Sequence, residues 1–172
     1  MSIINFSNTR QMEGLFDAIN PIKELIESKI NLSRTADREK RINLNQNKVM
    51  RICFIVGLSL PTKRFIDDYK DIQLSVSSIR ITPSFFTMHD LSTLYSALLK
   101  LRYADLNIDW TQNATLSRII AAEMLRGRDY LMANNNLDSF LYAMNNKVAM
   151  AKDIPVLNLL IGNYGDEEME AT

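Results

Sequence analysis

Asp109-Trp110-Thr111-Gln112 opens the run DWTQNATLSRIIAAEMLRGRDYLMA, residues 109–133, and the reading of this stretch decides the fold. An aspartate followed three residues later by a glutamine supplies the two side chains that satisfy the free N–H groups at a helix start. Leu116, Ile120, Met124 and Leu131 then fall on one face at helical spacing. Asn134-Asn135-Asn136 stops the helix, because asparagine tolerates left-handed backbone and hydrogen-bonds its own chain.

The same periodicity extends in both directions. Downstream, a helix is predicted from about Leu137 to Lys152, presenting Phe140, Leu141, Met144 and Val148. Pro155 restarts a last short helix through Ile161, with Gly162 as its C-cap. Upstream, Thr87-Met88-His89-Asp90 resembles a capping box with aspartate in place of glutamate. It opens a helix to about Tyr103 that carries Leu91, Leu94, Tyr95, Leu98 and Leu99. Nearer the start, Met12, Leu15, Ile19, Ile22, Ile26 and Ile30 mark a helical segment from about Asn8 to Asn31. Asn20-Pro21 reads within it as a cap followed by a first-turn proline, which predicts two helices or a sharp kink. From Ser33 to Ser59, Thr35 serves as a cap and Val49, Ile52, Cys53 and Val56 form the stripe, with Gly57 and Pro61 bounding the end. A short helix from about Pro61 to Lys70 is expected to turn Phe65, Ile66 and Tyr69 inward.

One stretch reads differently. In Asp71–Thr82, Ile72, Leu74 and Val76 alternate with polar residues, and Ile79 and Ile81 alternate in the other parity beyond Ser77-Ser78. Strand with a bulge or tight reversal fits this better than a flat strand, although Ile72, Val76 and Ile79 also match helical spacing. The expected fold is mainly α: one compact domain over residues 1–164, with about six or seven helices and a short β element near residues 72–81. Residues 165–172 form an acidic tail without apolar periodicity.

Composition bounds the function. With 172 residues, 47% of them hydrophobic, the chain can bury an ordinary core without staples. Zero formal net charge gives no global pull toward a polyanion, so such a partner must be met by a local patch. The single cysteine, Cys53, lies in the apolar run Ile52-Cys53-Phe54-Ile55-Val56, where it reads as a small buried hydrophobe in a reducing compartment. Met1-Ser2-Ile3-Ile4-Asn5-Phe6 lacks the basic and apolar regions of a secretory signal. The longest uncharged apolar stretch, Ile52 to Pro61, falls short of the ~20 residues of a membrane span. A soluble, intracellular chain without a membrane span is expected. Its many asparagines and isoleucines suit an AT-rich genome such as those of many phages and viruses, and its nine methionines suit core packing.

The catalytic inventory is thin. His89 is the single histidine, which excludes His-rich zinc sites and H-E-x-x-H arrangements. A Cys53–His89 pair is disfavoured by the apolar surroundings of the thiol and by the position of His89 at a helix start. No serine occupies a nucleophile-elbow motif. The glycines, Gly14, Gly57, Gly127, Gly162 and Gly165, do not cluster into a phosphate-binding loop. Asp67-Asp68 point about 100° apart if helical, a poor arrangement for sharing a metal. The reading is a protein that is not an enzyme, with no cofactor and no metal.

Charge patterning says more. Arg34, Arg38, Lys40, Arg41, Lys48 and Arg51 stand against Asp37 and Glu39, a local balance of six minus two, or +4. At helical spacing they form a basic ridge that could hold nucleic-acid phosphates or an acidic partner, with Arg118, Arg126 and Arg128 adding positive groups later in the chain. Aromatic residues do not interleave with the ridge, so base stacking is not implied. Asp153, Asp166, Glu167, Glu168 and Glu170 make the last 20 residues acidic, without lysine or arginine beyond Asp153. A basic segment and an acidic end suggest head-to-tail complementarity between copies, and equally allow the tail to fold back on the ridge of its own chain. The leading expectation is a self-associating structural or assembly protein, such as a phage or viral shell, filament or packaging component. A nucleic-acid-binding module using the 34–51 ridge is the second, and a small adaptor or chaperone with an exposed apolar groove is the third.

Overall fold

The computed structural model describes residues 3–33, 44–61, 63, 65–68, 75–80 and 91–145. The fold is mainly helical, as the periodicity predicts. Among the described residues there are five α-helices, fewer than the six or seven expected: α1 (Leu15–Ser33), α2 (Gln46–Ser59), α3 (Leu91–Arg102), α4 (Asn113–Met132) and α5 (Asn136–Asn145). Two short strands, β1 (Arg10–Met12) and β2 (Val76–Arg80), pair antiparallel. The described residues pack as two compact units, one ending at Arg128 and the other beginning at Asp129.

In the first unit, α2 and α4 are buried nearly all round. From Val49 to Gly57 every residue except Ile52 is buried, and from Leu116 to Gly127 every residue except Arg118. A helix surrounded by protein needs no polar face, so its apolar pattern broadens from a stripe to a cylinder. Helix α1 packs on α2 and buries Leu15, Ile19, Ile22 and Ile26. Helix α3 adds Leu91, Tyr95 and Leu99, and the rings of Phe54 and Tyr95 meet edge to face at 5.2 Å.

Several boundaries differ from the sequence reading, each for a local reason. Helix α1 passes through Pro21 without dividing. Proline removes the N–H that would reach the carbonyl of Asp17, and both residues are exposed, so that carbonyl lies on the water side of the helix. Asn20 is not a cap; its side chain donates to Glu24 Oε1 at 2.7 Å. The residues before α1 do not continue the helix either: Phe6–Asn8 make a separate 3-10 turn. Arg10–Met12 form β1, and Gly14, with φ 80°, makes the turn into the helix. Helix α2 begins only at Gln46, where Asn45 Oδ1 accepts from the Asn47 N–H at 2.8 Å. Within the stretch expected as a short helix, the described residues show one 3-10 turn, Ile66–Asp68, closed by Asp68 Oδ2 accepting from the Phe65 N–H at 2.9 Å.

The strand reading finds its partner in β1. Arg10 stands opposite Arg80 and Met12 opposite Val76, so β2 spends four steps where β1 spends two. The irregularity predicted at Ser77-Ser78 falls inside that slip. The Glu13 N–H extends the ribbon to the Ser75 carbonyl at 2.8 Å.

Asp109 is not the cap of α4, which begins four residues later at Asn113; it closes the turn that leads into the helix. Its Oδ1 accepts from the N–H and Oγ1 of Thr111, at 3.0 and 2.6 Å, and its Oδ2 from Gln112 Nε2 at 3.1 Å. In the second unit Asn134 adopts the left-handed conformation, φ 50°, that ends α4, and Leu131, Leu137 and Phe140 are buried. The predicted caps at Thr35 and Thr87–Asp90, and the helix restarted by Pro155, lie outside the described residues.

Candidate functional site

Helix α2 is buried as far as Gly57 and ends with Leu58 and Leu60 half-buried, which leaves a polar problem beside an apolar core. Its last carbonyls have no partner within the helix and carry the negative end of its dipole. Part of the solution is local: the Leu60 N–H returns to the Gly57 carbonyl at 3.2 Å, and Ser59 Oγ donates to the Val56 carbonyl at 2.7 Å. The rest comes from two arginines distant in sequence. Arg126 Nη2, from α4, donates to the carbonyls of Gly57 and Leu60, the latter at 3.0 Å. Arg102 Nη1, at the end of α3, donates to the carbonyls of Leu58 and Leu60.

Glu123 balances these cations. It is 1% exposed, and its Oε1 accepts from Arg102 Nε and from the Tyr103 hydroxyl, both at 2.6 Å. Its Oε2 lies 3.1 Å from Arg126 Nη2. Burial lifts the Glu123 carboxyl above the ordinary glutamate range, with the Tyr103 hydrogen bond and the Arg102 charge working against that rise. Burial also raises the Tyr103 phenol, and the adjoining Glu123 carboxylate raises it further. A carboxylate that already accepts from one guanidinium and a phenol, and is ion-paired to a second guanidinium, is a poor general base. Chemically the cluster is a clamp that joins three helix segments around one half-buried helix end.

Two glycines let the clamp close. A Cβ built on Gly57 would overlap the backbone carbonyl of Glu123, and one built on Gly127 would overlap the carbonyl of Cys53. Position 57 faces 123 and position 53 faces 127, so α2 and α4 cross with opposite chain sense and touch backbone to backbone.

Next to the clamp is a cleft of about 150 Å³, lined chiefly by Phe65, Ile66, Tyr103, Ile108 and Ile119, with Arg118 in its wall. The rings of Phe65 and Trp110 stand edge-on to Tyr103 at 6.5 and 6.3 Å. Lys63 Nζ lies 5.6 Å from the centre of the Tyr103 ring and pairs with Asp105.

The residues singled out from sequence are not gathered into one site. Arg34, Arg38, Lys40 and Arg41 lie outside the described residues, as do His89, Asp166, Glu167, Glu168 and Glu170. Lys48 is half-buried in the first turn of α2. Arg51 is 7% exposed beside Tyr95, and burial lowers its guanidinium from the usual range. The Tyr95 phenol is pushed up to about 12 by burial, an effect the Arg51 charge opposes. The three later arginines diverge: Arg118 lines the cleft, Arg126 enters the clamp, and Arg128 Nη1 donates to the Ala18 carbonyl at 3.0 Å. Cys53 is fully buried, as its apolar run predicts.

Sequence reasoning missed the clamp. The available signal was Glu123 and Arg126, charges three residues apart within the apolar run Ile119–Gly127 of α4. Among the described residues, no group of three or more His, Cys, Asp or Glu is placed to hold a metal ion, and no helix is long and apolar enough to cross a membrane. No family model, characterised protein or solved structure matches the chain.

Proposed function

We propose that the chain is a non-enzymatic structural or assembly protein that associates with copies of itself, as a component of a shell, filament or packaging assembly does. The observation that carries this reading is the outer face of α3. While Leu91, Tyr95 and Leu99 point into the core, Leu94, Leu98 and Leu101 recur at i, i+4 and i+7 on another face, together with Ala97. Leu94 and Leu98 are half-buried, Ala97 is exposed and Leu101 is 76% exposed. A stripe of this spacing is the pattern through which one helix packs on another, and the same stripe on a second copy is complementary to it. The opposite charges of segments 34–48 and 153–172 favour copies as partners. The buried charges of the clamp are already engaged at the end of α2, which supports a structural rather than a catalytic use for them. A fully buried single cysteine fits an intracellular setting.

Size exclusion with light scattering, at low and high salt and with absorbance read at nucleic-acid and protein wavelengths, tests the proposal. A discrete or growing oligomer free of nucleic acid is the expected result. A monomer at every concentration and salt overturns it. Co-purifying nucleic acid, lost in Arg38→Glu and Arg41→Glu, would instead favour phosphate binding by the basic segment. Arg51, with its guanidinium in the core, is not placed for that contact.

A further inference from the structure

We draw no further inference here: the strongest candidate, the apolar cleft lined by Phe65, Ile66, Tyr103, Ile108 and Ile119, carries nothing because nothing in the structure shows what covers it.

Discussion

The backbone carbonyl of Glu123 occupies the space that a side chain on Gly57 would need. One residue of α4 therefore meets α2 twice, its carbonyl setting how near the helices come and its carboxylate holding the arginines that close the end of α2.

In most helix interiors replacing glycine with alanine gains about 1 kcal/mol, because alanine loses less backbone entropy. At Gly57 and Gly127 the sign reverses. The new methyl meets backbone of the facing helix, which cannot rotate away as a side chain could. Gly57→Ala and Gly127→Ala are each expected to destabilise the protein by about 3 kcal/mol, the upper part of the overpacking range. Urea unfolding measures this directly. A gain in stability for either variant would mean that the helices do not touch there.

The clamp predicts strong coupling between its members. Arg126→Met removes donors to Gly57 and Leu60 and strips Glu123 of one of its two cations. Breaking a buried ion pair from one side costs about 3–5 kcal/mol, so a loss of that order is expected. In the Arg126→Met and Glu123→Gln double variant the loss is expected to be smaller than the sum of the singles, by about 1–3 kcal/mol. Arg126→Lys is expected to recover only part of the loss, since a point charge cannot serve carbonyls and carboxylate as a planar fork does. Simple additivity in the cycle would show that these groups do not act together.

How much of this was legible beforehand depends on whether the signal was local. Helix periodicity around Leu116, Ile120 and Met124, the turn at Asp109 and the left-handed stop at Asn134 are set within a few residues, and they were readable. The β1–β2 ribbon was half-legible. The alternation in β2 announced a strand, but its partner is three residues long and merges with an amphipathic run that reads as helix. Pro21 misled because its cost depends on which side of the helix faces water, a tertiary fact. The clamp was illegible for the same reason. Arg102 and Arg126 serve carbonyls more than 40 residues away, and no spacing rule links a helix end to the side chains that will satisfy it. Arg51 shows the converse error, since a ridge read from charge alone places its guanidinium outward, whereas α2 is buried all round at that level.

Leu101 offers the sharpest test of self-association. Because it is 76% exposed, Leu101→Lys removes little from the folded monomer, and the monomer's unfolding free energy is expected to change by no more than about 0.5 kcal/mol. In an interface between copies the same change places a charge among leucines, and the oligomer is expected to fall to monomer at equal concentration. Light scattering at matched loading reads the difference. An oligomer that survives Leu101→Lys would move the interface away from α3.

The two buried tyrosines predict how stability responds to alkali. In an unfolded chain both phenols titrate near pH 10. In the folded protein burial pushes Tyr95 up to about 12, while burial and the Glu123 carboxylate raise Tyr103 as well. Above pH 10 the unfolded chain therefore gives up protons that the folded chain retains, and stability falls as pH rises. Their contribution is whole below pH 10, and for Tyr95 it is lost by about pH 12. Each tyrosine adds a slope of up to roughly 1.4 kcal/mol per pH unit. Urea unfolding across this window is expected to show the decline, and Tyr95→Phe to flatten it. Tyr103→Phe should flatten it too, and at neutral pH should also cost about 1.5–3 kcal/mol for the lost bond to Glu123. Below about pH 12 the phenolate absorbance of these two residues in the native chain should appear only with unfolding. If both phenylalanine variants keep the full alkaline decline, other groups carry it and the phenols are not held protonated by the fold.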